Sequence, residues 1–146
     1  KEIINIAINF ANEYIQLKNP DEFDKWFAKA PITEKFRKEY RRREKYIELS
    51  QKSLEGKLSP ADEKFLKEND DINYDYDALL GSRIIDIREE SGFQLKKYDS
   101  KSKTVHLKDK YEEEFVIDGR KNYQGGTEII LKLVKQNGKW LIDESK

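Results

Sequence analysis

The sequence predicts an α+β domain, with helices in its first half packed on a curved antiparallel sheet formed by its second. Three observations carry that expectation. Apolar residues recur at helical spacing as far as about residue 69 and at strand spacing from about residue 83. Proline and capping residues mark helix starts at Asn19-Pro20, Thr33 and Ser59-Pro60. The chain closes on two β-rich runs around Asn137-Gly138, a pair that accepts the positive φ of a type I′ turn. Helices followed by strands place the helices on one face of the sheet.

Each element has its own signal. Residues 2–17 spread Ile3, Ile4, Ile6, Ala7, Ile8, Phe10, Ala11, Tyr14 and Ile15 around most of a helix, which predicts burial on more than one side. Pro20-Asp21-Glu22 opens a short second helix bearing Phe23, Trp26 and Phe27, and Ala30-Pro31 ends it. Thr33 caps a long third helix to about Glu55, with Gly56 just past its end. The stripe of that helix is Phe36, Tyr40, Arg43, Ile47, Ser50 and Leu54, in which Arg43 and Ser50 interrupt an apolar face. Ser59 caps a fourth helix to about Asn69, its first turn carrying Asp62 and Glu63.

Strands are expected at 83–88, 93–98, 104–108, 113–117, 127–136 and 139–143. Turn signals between them are Ser91-Gly92, residues 99–103, Asp118-Gly119, Gly125-Gly126 and Asn137-Gly138. In the last hairpin, alternation sets Trp140 and Ile142 against Leu141, and Leu131 and Leu133 against Ile130 and Val134. Both faces therefore carry apolar residues, and something must cover each.

Composition narrows the function classes. At 146 residues the chain is one domain, with helices over about 2–69 and sheet over about 83–144. Charged residues reach 40%, but 12% aromatics supply a core, so disorder is not expected. Lys plus Arg equals Asp plus Glu at 29 each, which leaves no global field for nucleic acid. No apolar run approaches the ~20 residues of a membrane span. Without cysteine there is no disulfide, thiolate catalysis or thiolate-bound metal. Methionine is absent even at position 1, so the chain is expected to start at a processing boundary, which fits a removed leader and a tag-cleaved cytosolic protein alike.

No motif fixes a reaction. Asp71, Asn73 and Asp75 match the first ligands of an EF-hand loop, but Tyr76 stands where glycine is needed and Ser82 where the bidentate Glu belongs. A solvated connector is the expected reading, and no metal or cofactor is assigned. Arg41-Arg42-Arg43 lies among Glu39, Glu44 and Glu48, the pattern of a solvated helix face with i,i+4 pairs such as Glu39 with Arg43. Arg43 points inward, toward an ion pair or a polar pocket. His106 is the single histidine and alternates against Val105 and Leu107, with no Gly-x-Ser-x-Gly elbow to go with it.

The layout resembles the nuclear-transport-factor-2-like, or cystatin-like, cone, and within it small exported bacterial domains of unknown function. The residues that carry the resemblance are Phe10-Ala11-Asn12-Glu13-Tyr14 on the first helix, the segment Asp75-Tyr76-Asp77-Ala78-Leu79-Leu80 leading into the sheet, and the terminal strands Ile129–Asp143. The resemblance implies helices closing over a pocket on a curved sheet, and an exported or envelope location. Members range over enzymes, small-molecule binders, dimerisation modules and toxin-neutralising proteins. Enzymatic members use an Asp–His pair, for which His106 with Asp75 or Asp77 is the candidate here.

The leading expectation is a non-enzymatic envelope binding domain. Its pocket is lined by Tyr14, Trp26, Tyr40, Arg43 and Tyr76, aromatic walls with Arg43 orienting an anionic or carbonyl group of a small molecule. The alternatives are a toxin-neutralising or homodimeric protein acting through its sheet, and a small hydrolase or isomerase built on His106.

Overall fold

The computed structural model describes residues 1–72, 77–82 and 87–146. Four helices precede six strands: α1 (Glu2–Ile15), α2 (Pro20–Lys29), α3 (Glu34–Leu54) and α4 (Pro60–Glu68), then β1 (Phe93–Asp99), β2 (Thr104–Asp109), β3 (Glu112–Ile117), β4 (Arg120–Gly125), β5 (Glu128–Gln136) and β6 (Lys139–Ser145). The α+β class and the helix-then-sheet order are as the sequence predicts. The predicted strand at 83–88 falls largely on residues 83–86, outside the described residues.

The caps explain the helix boundaries. Side-chain oxygens of Asn19, Thr33 and Ser59 accept from the amides of Glu22, Phe36 and Asp62, so each satisfies an orphan donor in a first turn. Gly56 follows α3 at φ +71°. The outer half of α3 departs from expectation, because Leu54 is 88% exposed whereas Leu49 is buried. A helix of 21 residues is about 31 Å long. α3 also packs against α4, with Lys45 Nζ 4.3 Å above the Phe65 ring.

All strand pairs are antiparallel. Four strands form one sheet in the order β1-β2-β5-β6, while β3 and β4 pair as a separate ribbon. Phe93, Val105, Leu107, Ile129, Leu131, Leu133 and Ile142 line one face of the sheet and are buried. Ile3, Ala7, Phe10 and Ala11 of α1 are buried with them in one core. Their 3-7-10-11 spacing is one helical stripe. On its other side α1 meets the aromatics of α2, Trp26 lying 5.1 Å from Phe10 and 5.7 Å from Tyr14 between ring centroids. Burial on two sides explains the breadth of its apolar pattern.

The terminal hairpin alternates as expected. Leu131, Leu133 and Ile142 point to the helices, and Ile130, Val134 and Leu141 are half-buried on the far face. That far face is broken up by charge, including ion pairs of Lys132 with Glu144 at 3.6 Å and Lys96 with Glu128.

One strand was not anticipated. The sequence pattern assigns no strand between Asp118-Gly119 and Gly125-Gly126, yet Arg120–Gly125 is β4. Asp118 and Gly119, at φ +52° and +75°, form the turn that joins it to β3. Gly125-Gly126 is a bend rather than a chain reversal. There the amide of Gly126 donates to the carbonyl of Tyr111 at 2.6 Å, and a Cβ on Gly125 would run into Tyr111. The ribbon therefore extends β2 and β5 beyond the sheet as an arm.

Candidate functional site

A cleft of about 810 Å³ opens where α3 passes the end of β6. Phe36, Tyr40 and Arg43 of α3 line it at i, i+4 and i+7, one face of a helix, and Lys35, Glu39 and Arg42 line it alongside them. Opposite lie Asp71, Ile72, Asp77, Ala78 and Gly81 from the connector and Asp143–Lys146 from the chain's last strand.

Two side-chain tethers hold the start of α3 to β6. Thr33 is buried at the start of α3, where its hydroxyl caps the helix and donates to Asp143 Oδ1 at 2.8 Å. Lys35 Nζ donates to Asp143 Oδ2 at 3.1 Å. Asp143 reaches them because the β5–β6 register shifts beside it, at Lys132/Leu133, a bulge that re-aims the side chain toward α3. Burial alone would raise the Asp143 carboxyl, but the bonds from Thr33 and Lys35 prevail and hold it below the usual carboxylate range.

Asp77 organises the connector. Its Oδ1 accepts the amides of Leu79 and Leu80 at 2.8 and 3.0 Å, and its Oδ2 accepts the Tyr14 hydroxyl at 2.6 Å. Ser145 Oγ donates to the Ala78 carbonyl, and Gly81 sits so close to the backbone of Ser145 and Lys146 that a Cβ there would overlap it. On the third wall Arg42 donates to Glu39, Asn69 and Asp71.

The five expected pocket residues divide. Tyr40 and Arg43 face the cleft. Tyr14 stands behind its wall, joined through Asp77. Burial, followed by the Asp77 charge, pushes the Tyr14 hydroxyl well above the ordinary tyrosine range, while the nearby Arg43 charge works in the opposite direction. Burial likewise raises Tyr40, with Glu44 adding to it and Arg43 opposing. Trp26 packs in the aromatic cluster, and its indole Nε1 donates to Glu13 at 3.0 Å; it is not part of the cleft. Its helical spacing with Phe23 serves packing on α1, a role that spacing alone does not distinguish from ligand binding. Tyr76 lies outside the described residues.

The other sequence candidates also find places. His106 is paired with Lys97 on one side and Ile130 on the other, on the sheet face away from the helices. Val105 and Leu107 flank it and point into the core, so the sheet separates it from Asp77. The proposed pairing with Asp77 is therefore not assembled, and Asp75 lies outside the described residues. Of the EF-hand positions, Asn73 and Asp75 lie outside them too, and Asp71 is engaged by Arg42. Among the described residues no group of three or more His, Asp or Glu side chains is placed to hold a metal ion. No described helix is long and apolar enough to cross a membrane.

Sequence reasoning missed Lys35, Glu39 and the Asp143–Lys146 wall. The Thr33–Asp143 and Lys35–Asp143 contacts bring positions more than a hundred residues apart to one cleft, beyond the reach of a local pattern. Comparison with protein-family models, with curated proteins and with solved structures yields no match, so the geometry of this cleft stands as the guide to its use.

Proposed function

We propose that the chain is a non-enzymatic, envelope-associated binding domain, and that it takes a small molecule bearing a carboxylate or carbonyl group in the cleft between α3 and β6. The observation that carries this reading is the placement of Tyr40 and Arg43, one turn apart, on a cleft of about 810 Å³. That volume is in the range of small-molecule sites, which pair apolar walls with a few convergent polar groups. Phe36 and Tyr40 give an apolar wall, and a guanidinium beside them pairs with a planar oxygen pair better than an ammonium does.

A binding role fits the state of the cleft's acids. Asp77 is spent on two backbone amides and a tyrosine, Asp143 on Thr33 and Lys35, and Asp71 on Arg42. Carboxylates committed to structure are poorly placed to move protons. Helices over a curved antiparallel sheet favour the cystatin-like cone, and the envelope location belongs to that same resemblance.

Benzoate and benzamide, titrated into isotope-labelled protein and followed by NMR, test the site. Saturable shifts at the Phe36 and Tyr40 rings and the Arg43 side chain are expected, with benzoate binding more tightly. Arg43→Gln removes the preference for benzoate, and Tyr40→Ala weakens both probes. If neither probe shifts cleft signals, or if Arg43→Gln leaves the benzoate preference intact, the reading fails.

A further inference from the structure

Two segments that wall the cleft opposite α3 are anchored unequally. Residues 77–81 are fixed in the core. Leu79 and Leu80 are buried, the Asp77 amide donates to the Ser82 carbonyl at 2.7 Å, and the Gly81 amide donates to the Asp77 carbonyl at 2.8 Å. Asp71 and Ile72 belong instead to the segment formed by α4 and the turn after it. No residue of α4 is buried; Phe65 and Leu66 are half-buried, and Asp70 and Asp71 are exposed. A helix of nine residues is too short to persist in water without packing, and the Lys45 ammonium above the Phe65 ring is one of its few supports.

Arg42 joins this segment to α3. Among the described residues, the side-chain hydrogen bonds from α3 to residues 69–72 all come from its guanidinium. Nη1 donates to Asn69 Oδ1 at 2.8 Å and to Asp71 Oδ1 at 3.1 Å, and Nη2 donates to Asp71 Oδ2 at 3.1 Å. Glu39, three residues back on α3, accepts from Nε at 3.1 Å and steadies the group. Asn69 Nδ2 donates to the Phe65 carbonyl at 2.8 Å, so one guanidinium grips both the end of α4 and the lip of the cleft. The Asp71 side chain is 67% exposed, and ion contacts open to water are individually weak. At the other end of the segment, Gly56 has φ +71° and open space where a Cβ would lie, in a run of exposed residues from 51 to 57. The chain can turn there without breaking buried contacts.

We propose that residues 57–72 form a movable wall of the cleft, hinged at Gly56 and latched by Arg42, and that a ligand in the cleft favours the latched form. Segments that open apart from the core are those with few buried apolar contacts and exposed tethers, and α4 with its turn has both properties. A ligand lying between the Phe36–Tyr40 face and Ile72 gains its second set of contacts only when the wall is in place. It therefore binds the closed form better and shifts the population toward it. The hinged wall does not depend on the use of the cleft, whereas closure by ligand rests on the binding role proposed above.

Amide hydrogen exchange of the whole chain tests the wall. Amides of α4 and Ile72 exchange at least about a hundredfold faster than those of Leu131 and Leu133, and faster than those of Leu79 and Leu80. Arg42→Gln quickens exchange across residues 60–72 about fivefold and leaves β5, Leu79 and Leu80 unchanged. Asp71→Asn, at an exposed site on the wall itself, does the same. Saturating benzoate slows exchange over residues 60–72 in the native chain. Exchange there as slow as in β5 overturns the proposal, and so does an effect of the two variants that is absent or spread over the whole fold. Benzoate that shifts the Phe36 and Tyr40 rings without slowing exchange at 60–72 overturns closure by ligand. If benzoate shifts no cleft signal, the binding role and closure by ligand fall together, while the exchange contrast still decides the hinged wall.

Discussion

The four-stranded sheet and the β3–β4 ribbon are both antiparallel, yet the chain treats their edges in opposite ways. An edge strand offers unpaired amides and carbonyls to any passing chain. On the sheet, β1 is blocked at Phe93 by the Asn12 side chain, whose amide donates to the Phe93 carbonyl at 3.2 Å and accepts its N–H at 2.6 Å. Further along, a register shift between Leu95 and Lys97 disrupts the edge and leaves lysines along it. At the other edge, the Ile142 amide donates to the Pro31 carbonyl and its carbonyl accepts from Thr33, while Ala78–Gly81 covers Ser145. Among the described residues no such covering lies on the ribbon, which is the most apolar exposed surface of the described strands. The contrast teaches that edge protection here is local and built from particular side chains, and that the ribbon lies outside it.

Substitutions should separate the two regions most sharply in the core. Leu131 on β5 is fully buried, and Leu131→Ala is expected to cost about 3 kcal/mol in urea unfolding through lost burial and a cavity. A loss below about 1 kcal/mol would mean that the sheet face is not the packed layer described.

Asn12→Ala comes next. It leaves the N–H and C=O of Phe93 without their partner beside a buried position, a cost of about 1–3 kcal/mol. It should also speed amide exchange at Phe93, and unchanged exchange would show that another group covers that edge.

Acid sharpens the comparison at the opposite edge. The folded Asp143 carboxyl is held below its unfolded value, near 3.9, so its contribution is complete above that value and is lost as pH falls through the folded one. The stability gap between the native chain and Asp143→Asn should therefore be constant near neutrality and close below about pH 4. A gap that stays open in acid would show that the carboxylate is not what joins α3 to β6.

The smallest effect is expected on the arm. In dilute solution Val116→Thr should change stability by no more than about 0.5 kcal/mol, as befits an exposed position. A loss several times larger, seen by thermal unfolding at low concentration, would mean that the arm packs on its own domain.

Much of this molecule is written in local chemistry. The helix starts follow from Asn19, Thr33 and Ser59, and the last hairpin from Asn137-Gly138, because capping and turn geometry depend on a few neighbouring atoms. The buried face of β5 and β6 follows from alternation, since a strand shows its two faces with period two. β4 escaped because Arg-Lys-Asn-Tyr-Gln-Gly has neither β-branched residues nor alternation; among the described strands it pairs with β3, and pairing makes it a strand. For the cleft, helical spacing placed Tyr40 and Arg43 on one face of α3. It placed Trp26 as well, whose burial against Phe10 and Tyr14 depends on how α2 docks.

What the sequence determined by itself was the α+β order, the caps, the turns and the inward face of each long strand. What only the tertiary structure decided was the company each residue keeps. It set Asp143 beside Thr33 and Lys35, Asp77 beneath Tyr14, and His106 on the far side of the sheet from both. The physical reason is range. Capping, turn and alternation energies act over a few residues, whereas the cleft and the bare arm arise from burial shared between segments that meet only once the chain has folded.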